Sequence, residues 1–353
     1  MVQSNSTYRH GTILSADSTA PRSYGRNTGS SSSSTSTSAS APLPITTPER
    51  SLLAILKKLA APTLRTTDFA KNLQEVKAAL YDKDYARAFG SEEYRFAYAL
   101  RWVPSRAVIY RRIFREIGGG RTLQRALMGS APAAAEAKEK GETVVRKAIM
   151  LGGGAGSEVI GLAAFLGEQE EDLWATGKVE ILAVDQSDWS SVLKQQEAAL
   201  LAGYPSLGDR LSVQFQLGNV LDPAATSLIP FSTASVITLL FTISELFLQS
   251  RSATLSLLST ITAQSRPGTL LIIVESASLG LIPIGSSGNT YPLGMLLDSA
   301  LTEDKGRAKE DRAKWEILQE EENKWYRMPT GSEECYPLKL ENSRVVSRVL
   351  RRI

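Results

Sequence analysis

A single cysteine, Cys335, and a single histidine, His10, serve the whole chain of 353 residues. A zinc centre takes three or four Cys, His or carboxylate ligands, so these two cannot build a zinc finger or a His-rich catalytic centre. One thiol makes no intramolecular disulfide and suits a reducing compartment, cytosol or nucleus. Serine-hydrolase chemistry is disfavoured because the only histidine base lies in a low-complexity tail. A secretory leader needs a continuous apolar stretch, and residues 1–48 contain none. That segment is rich in Ser, Thr, Gly and Ala, densest over Gly29–Ser38, and buries too little to offset its ordering entropy. It is expected to be a disordered arm.

Net charge is also scarce: 40 Lys+Arg against 37 Asp+Glu leave +3. The balance hides a distribution. Between Arg101 and Arg125 seven arginines face one acid, Glu116, for a local +6, and Lys339, Arg344, Arg348, Arg351 and Arg352 against Glu341 give +4. Local basic surface attracts polyanions even when the whole chain is near neutral. Arg101, Arg106, Arg111, Arg112 and Arg115 are therefore candidate nucleic-acid contacts, beside the alternative of a solvated helix face. What the chain does have is ordinary: 42% hydrophobic and 22% charged residues, enough for a large core.

Order is expected from Thr47-Pro48, a helix-start signal, with Leu52, Leu53, Leu56 and Leu59 on one face up to Pro62. Further helices are expected over 68–81, 91–102 and 105–117, the last two separated at Pro104. These make a helical basic module over 49–140. From Thr143 the pattern changes to a strand entering Gly152-Gly153-Gly154-Ala155-Gly156-Ser157-Glu158 and then an apolar helix. Glycines are needed where the chain turns sharply and a cofactor approaches the backbone. Dinucleotide folds place a further glycine where Ser157 stands, and Glu158 would repel a pyrophosphate at a helix N-terminus. The G-x-G-x-G arrangement of methyltransferases fits better.

A second strand ends at Asp185, suited to accept both ribose hydroxyls; its longer separation from the glycine turn is explained by an inserted loop over 167–177. A third strand, 211–217, leads to Gly218-Asn219-Val220, with Asn219 a candidate adenine contact or a simple turn residue. A fourth, 235–241, runs into Phe241-Thr242-Ile243-Ser244-Glu245, and a fifth, 270–274, ends at Glu275. Ligands bind at the carboxyl ends of such parallel strands, where these polar residues converge. The expected fold is α/β, a Rossmann-like class I methyltransferase domain over 141–353 with a mostly parallel seven-stranded sheet.

Leu151–Glu158, Asp185–Trp189, Leu240–Phe247, Tyr291-Pro292 and Tyr336–Asn342 together resemble the fungal family of S-adenosylmethionine (SAM)-dependent 25S rRNA methyltransferases that modify uridine at N3. The resemblance covers most of the chain after residue 48. Two departures touch the target-facing loops: Glu275-Ser276-Ala277 lacks a following Pro-Gly, and Val345-Val346 replace an aromatic. It implies SAM at Gly152, Gly153, Gly154, Gly156, Glu158, Asp185, Gly218, Asn219, Val220, Phe241 and Thr242, and ribosomal RNA of the large subunit as substrate. It further implies action in the nucleus or nucleolus as a monomer, with no metal and no membrane. Carbon methylation of a pyrimidine usually needs a cysteine nucleophile, and Cys335 lies in no Pro-Cys motif. Exocyclic amine methylation uses an Asp/Asn-Pro-Pro-aromatic turn that is absent here. Uracil N3 must lose a proton, so Glu245 or Glu275 is a candidate base, and Tyr291, on a loop expected over 285–298, a candidate base contact. The charged stretch 303–323 is expected to be a solvated helix, with the sixth strand starting at Lys324.

Overall fold

The computed structural model describes residues 43–129, 139–140, 143–169, 177–283, 289–302 and 314–353. The parts of the expected arm (1–42), the inserted loop (170–176), the loop over the site (284–288) and the charged stretch (303–313) that fall elsewhere lie outside the described residues. Five apolar runs form parallel strands: β1 (Val144–Leu151), β2 (Gly177–Asp185), β3 (Leu211–Leu217), β4 (Ala234–Leu240) and β5 (Leu270–Ser276). The carboxyl half of β1 and most of β4 and β5 are buried on both faces, which explains why they read as continuous hydrophobic stretches rather than alternating ones. A two-stranded ribbon, β6 (Leu281–Pro283) with β7 (Thr290–Pro292), follows. Two long strands close the main sheet, β8 (Trp315–Tyr326) and β9 (Ser343–Arg352). The order is β3-β2-β1-β4-β5-β9-β8, with β9 antiparallel to both neighbours. The order in which successive strands are added reverses between the parallel neighbours β1 and β4, so a crevice opens at their carboxyl ends.

Helices cover both faces. Before the sheet come α1 (Thr47–Leu64), α2 (Phe69–Tyr81), the single turn α3 (Tyr85–Ala88), the long α4 (Glu92–Glu116) and α5 (Arg121–Met128). Between strands lie α6 (Ser157–Gly167), α7 (Ser190–Gly203), α8 (Pro223–Ser227), α9 (Ile243–Gln249), α10 (Arg251–Gln264) and α11 (Leu293–Leu301). One apolar core runs from Leu52 and Leu56 of α1 through Val108 of α4 to Ile160 of α6 and Ile181 of β2. The contact between α4 and α6 is backbone-close. A Cβ on Gly161 would lie 2.9 Å from the Tyr110 Cβ and 3.1 Å from the Ala107 carbonyl oxygen. That approach brings the middle of α4 over the end of the sheet.

Three expectations change. The cap of α1 is Thr46, one residue earlier than expected, with its N–H and hydroxyl both donating to Glu49, and the helix continues past Pro62 to Leu64. Helix α4 is unbroken at Pro104. Proline cannot donate to the Leu100 carbonyl, but the Tyr336 hydroxyl donates to that oxygen at 2.8 Å and satisfies it in the buried interior. The same segment grips α4 at two more points. Arg101 pairs with Glu341 and donates to the Lys339 carbonyl at 2.9 Å, and the Glu341 N–H donates to Ser105 Oγ at 2.9 Å. Tyr336→Phe is therefore expected to cost about 1–3 kcal/mol by orphaning a buried carbonyl. In a Pro104→Ala background, where a backbone N–H becomes available, the loss should shrink; a double-mutant cycle by denaturant unfolding reads the difference.

The third change is at 315–323, which belongs to the strand β8 rather than to a solvated helix, so the strand expected from Lys324 starts nine residues earlier. Its charges suit an edge strand that must not pair with another chain. Glu316 stands opposite Arg351 and bonds it at 2.5 Å, while Trp315 and Tyr326 are buried at the two ends.

Candidate functional site

After Leu151 the chain bends at Gly152 (φ +76), whose N–H donates to the Val184 carbonyl at 2.8 Å. A Cβ there would stand 2.5 Å from the Thr242 side chain. Gly156 (φ +84) starts α6 in the left-handed region that favours glycine. Between them Gly154 has no room for a side chain, since its Cβ would come within 2.1 Å of Trp189 and 2.7 Å of the Asp185 Cβ. The loop is thus pressed flat against the ends of β2 and β4, and a cavity of about 330 Å³ lies over it.

Its lining takes in Gly152, Gly153, Gly156, Glu158, Asp185, Gly218, Asn219, Val220, Phe241, Thr242 and Glu245. Gly154 supports the loop from behind and is absent from the lining. Asp185 receives the Ser187 N–H at 2.9 Å and the Gly154 N–H at 3.2 Å. A carboxylate has about four lone-pair sites, so capacity for a ligand diol remains. Asn219 accepts from the Leu221 N–H at 2.9 Å, which commits its oxygen to a turn, and buried Val220 offers an apolar surface beside it. Phe241 is held at φ +58, a strained conformation for a bulky residue, at the end of β4.

Glu158 faces the sheet more than the cavity. It accepts from the Thr238 hydroxyl and, at 3.3 Å, from the Leu240 N–H, and burial pushes its carboxyl up to about 8. A carboxyl protonated in the fold but ionised when unfolded binds the extra proton between about pH 4.5 and 8. Stability contributed by this group is complete below that window and declines as pH rises through it, by roughly 1.4 kcal/mol per pH unit. Glu158→Gln can donate to Thr238 and accept from Leu240 without ionising. It is expected to raise the melting temperature at pH 8 relative to wild type and to flatten the pH dependence; a scan of melting temperature from pH 5 to 9 checks this.

The other candidates divide. Glu245 lines the cavity, hydrogen-bonded to the Tyr85 hydroxyl, with its pKa raised by burial and by nearby Glu275 against the lowering effect of Tyr85. Glu275 is buried and committed elsewhere. It accepts from the Ser244 N–H (3.0 Å), the Ser244 hydroxyl (2.7 Å) and the Ser276 N–H (2.8 Å), so it fixes the start of α9. Tyr291 sits on β7 and is absent from the cavity lining.

Of the five arginines, one reaches the cavity. Arg111 is buried in a two-point pair with Glu168, each bond 2.6 Å. Arg112 bonds Glu49 and the Arg327 carbonyl, both at 2.6 Å, and Arg101 pairs with Glu341. Arg115 is exposed. Only Arg106 lines the cavity, its Nη1 donating to the Tyr98 hydroxyl at 2.7 Å. Arg101, Arg111 and Arg112 tie α4 to α1, to the end of α6 and to the segment between β8 and β9, and present no free phosphate-binding row.

The roof of the cavity holds Arg106, expected from the sequence as a nucleic-acid contact rather than as a cavity residue. Tyr98, Trp102, Arg106 and Tyr110 recur every four residues, which puts them on one face of α4, and Tyr85 and Phe89 add to it. The spacing was the available signal.

Residues 56–351 match the model of a family of SAM-dependent methyltransferases. The chain belongs to this family. A curated relative, a 25S rRNA (uridine(2843)-N(3))-methyltransferase of Saccharomyces cerevisiae, is 28% identical over 300 residues, 79% of this chain and 77% of its own length. Among solved structures, an O-methyltransferase family protein of Burkholderia thailandensis is 14% identical at a TM-score of 0.37, over 82% of this chain and 73% of its own. A SAM-dependent methyltransferase of Leishmania major is 13% identical at 0.34, over 71% and 83%. At such TM-scores the fold assignment rests on the strand order and the family model. The glycine cradle, the acid ending β2 and the apolar Val220 fit SAM, the cofactor of the family. Among the described residues no helix is long and apolar enough to cross a membrane, and no group of three or more His, Cys, Asp or Glu could hold a metal ion.

Proposed function

We propose that this methyltransferase acts on large-subunit ribosomal RNA, in the nucleolus, and methylates a uridine at N3. The observation that carries the reading is the similarity to the yeast uridine-N3 enzyme across nearly four-fifths of both chains. Domain division is part of it: a helical module that roofs the cofactor cavity, its first helix starting at Thr47 rather than after the expected boundary at 48, and a catalytic domain over 141–353.

The chemistry of the cavity agrees. SAM, when bound, supplies an electrophilic methyl group. Ring N3 of uracil is a weak acid and becomes nucleophilic when its proton is removed, a task for the Glu245 carboxylate, oriented by Tyr85. Cys335 is bonded to the Gly331 carbonyl and approached by Arg50, away from the cavity lining, so the cysteine route to carbon methylation has no nucleophile.

A further surface suits RNA, since Arg101, Arg111 and Arg112 of the expected cluster are taken by partners within the chain. Trp325 is 46% exposed, with the guanidinium carbons of Arg327 and Arg344 5.0 Å and 5.6 Å from its ring centroid. It pairs with Arg344, next to Val345, which stands opposite Ser276. That register sets Trp325, across β9, level with the carboxyl end of β5, at the same end of the sheet as the cavity. Trp325→Ala is expected to weaken binding of the rRNA target about tenfold through loss of base stacking, leaving SAM affinity unchanged; gel-shift and calorimetry read the two.

Mass spectrometry of large-subunit rRNA nucleosides, with and without a functional copy, tests the whole reading. Loss of one 3-methyluridine equivalent is expected, and an unchanged profile overturns it.

A further inference from the structure

Among the described residues that line the cavity Arg106 is the only Lys or Arg, beside the acids Glu158, Asp185 and Glu245. Its one hydrogen bond among the described residues goes to the neutral Tyr98 hydroxyl, and no described carboxylate lies within ion-pair distance. Two rings steady it: its guanidinium carbon is 5.8 Å from the centroid of Tyr98 and 5.5 Å from that of Phe241. A guanidinium has five N–H donors in a planar fork, matched to a carboxylate. Most of those donors are left for a ligand. Glu245 and Glu275 act on this cation only at longer range, so its fork stays open to a ligand anion in direct contact inside the cavity.

SAM has one anionic group, the carboxylate of its amino-acid end. The order of the strands says where that end lies. Val220 follows β3 and suits the adenine, Asp185 ends β2 and suits the ribose, so the amino-acid end falls over the glycine loop after β1 and the end of β4. Phe241 ends β4, and Arg106 lies over its ring. The close α4–α6 contact at Gly161 sets that height. We propose that Arg106 receives the SAM carboxylate, so that a helix outside the α/β domain completes the cofactor site. The inference rests on SAM as cofactor and is independent of the RNA target.

Calorimetric titration with SAM and with decarboxylated SAM, which keeps the sulfonium and loses the carboxylate, tests it. Wild type is expected to prefer SAM at least about tenfold, the scale of one charge-assisted pair. Arg106→Met should bring the two affinities within about twofold of each other, and Arg106→Lys, which keeps charge but not the fork, should fall between. The ratio is read within each protein, so a general loss of fold does not imitate the result. Equal binding of both ligands by wild type, or an undiminished preference in Arg106→Met, overturns the assignment. If Arg106→Met fails to fold, an undiminished preference in Arg106→Lys overturns it. Failure of wild type to bind SAM at all would overturn the cofactor reading with it, whereas an unchanged rRNA profile would leave it standing.

Discussion

Asp185→Ala is expected to weaken SAM binding by about 100-fold or more. Each hydrogen bond between a carboxylate and a ligand hydroxyl contributes about 1.5–3 kcal/mol, and 1.4 kcal/mol is a factor of ten, so losing both ribose bonds reaches that range. The substitution does further damage to the site itself. Asp185 accepts the N–H groups of Gly154 and Ser187, so alanine also releases the glycine loop from β2. Asp185→Asn separates the two effects. It keeps one acceptor oxygen and turns the other into a donor, which must then face one of the two backbone N–H groups. A loss smaller than for alanine, about tenfold, is expected for asparagine by the same scale. Calorimetry measures both. Wild-type affinity in Asp185→Ala would mean that the ribose is held elsewhere.

What the sequence disclosed depended on how locally each feature is determined. A strand, a glycine turn and a helix are neighbours in the chain, and steric need alone explains Gly152 and Gly156 at positive φ. The edge where Asp185, Asn219 and Glu245 meet follows from parallel strands having equivalent ends. Partners distant in sequence were not legible. Arg111 and Arg112 read as surface because Glu168 and Glu49 lie 57 and 63 residues away. Pro104 read as a break because the hydroxyl that repairs it comes from Tyr336, 236 residues from Leu100. Glu275 shares the strand-end position of a catalytic acid, yet it is buried and three of its roughly four lone-pair sites are taken by Ser244 and Ser276. Composition misled over 315–323, where charges that suit a helix face suit an edge strand equally. The family motif Tyr336–Asn342, distinctive in sequence, acts here as a clamp on α4, the helix that carries Arg106 and the aromatic roof.

Glu245→Gln should reduce methyl transfer to the rRNA target by about 100- to 10,000-fold, the range for a positioned general base, while leaving SAM affinity within about twofold of wild type. Glutamine keeps the shape and the bond to Tyr85 but cannot take the N3 proton. The pH profile gives a sharper signature than the rate alone. Burial raises the Glu245 pKa, and the base works only when ionised, so wild-type kcat should fall as pH falls through that raised value. Glu245→Gln removes this limb. The Tyr85 hydroxyl donates to the carboxylate and favours its ionised form, so Tyr85→Phe raises the Glu245 pKa further and moves the limb to higher pH. Single-turnover methylation of an rRNA fragment from pH 5 to 9 distinguishes the variants. A limb that persists in Glu245→Gln assigns the proton transfer to another group, and Glu158 is not a substitute, because it is turned toward Thr238 and Leu240 at the floor of the cavity.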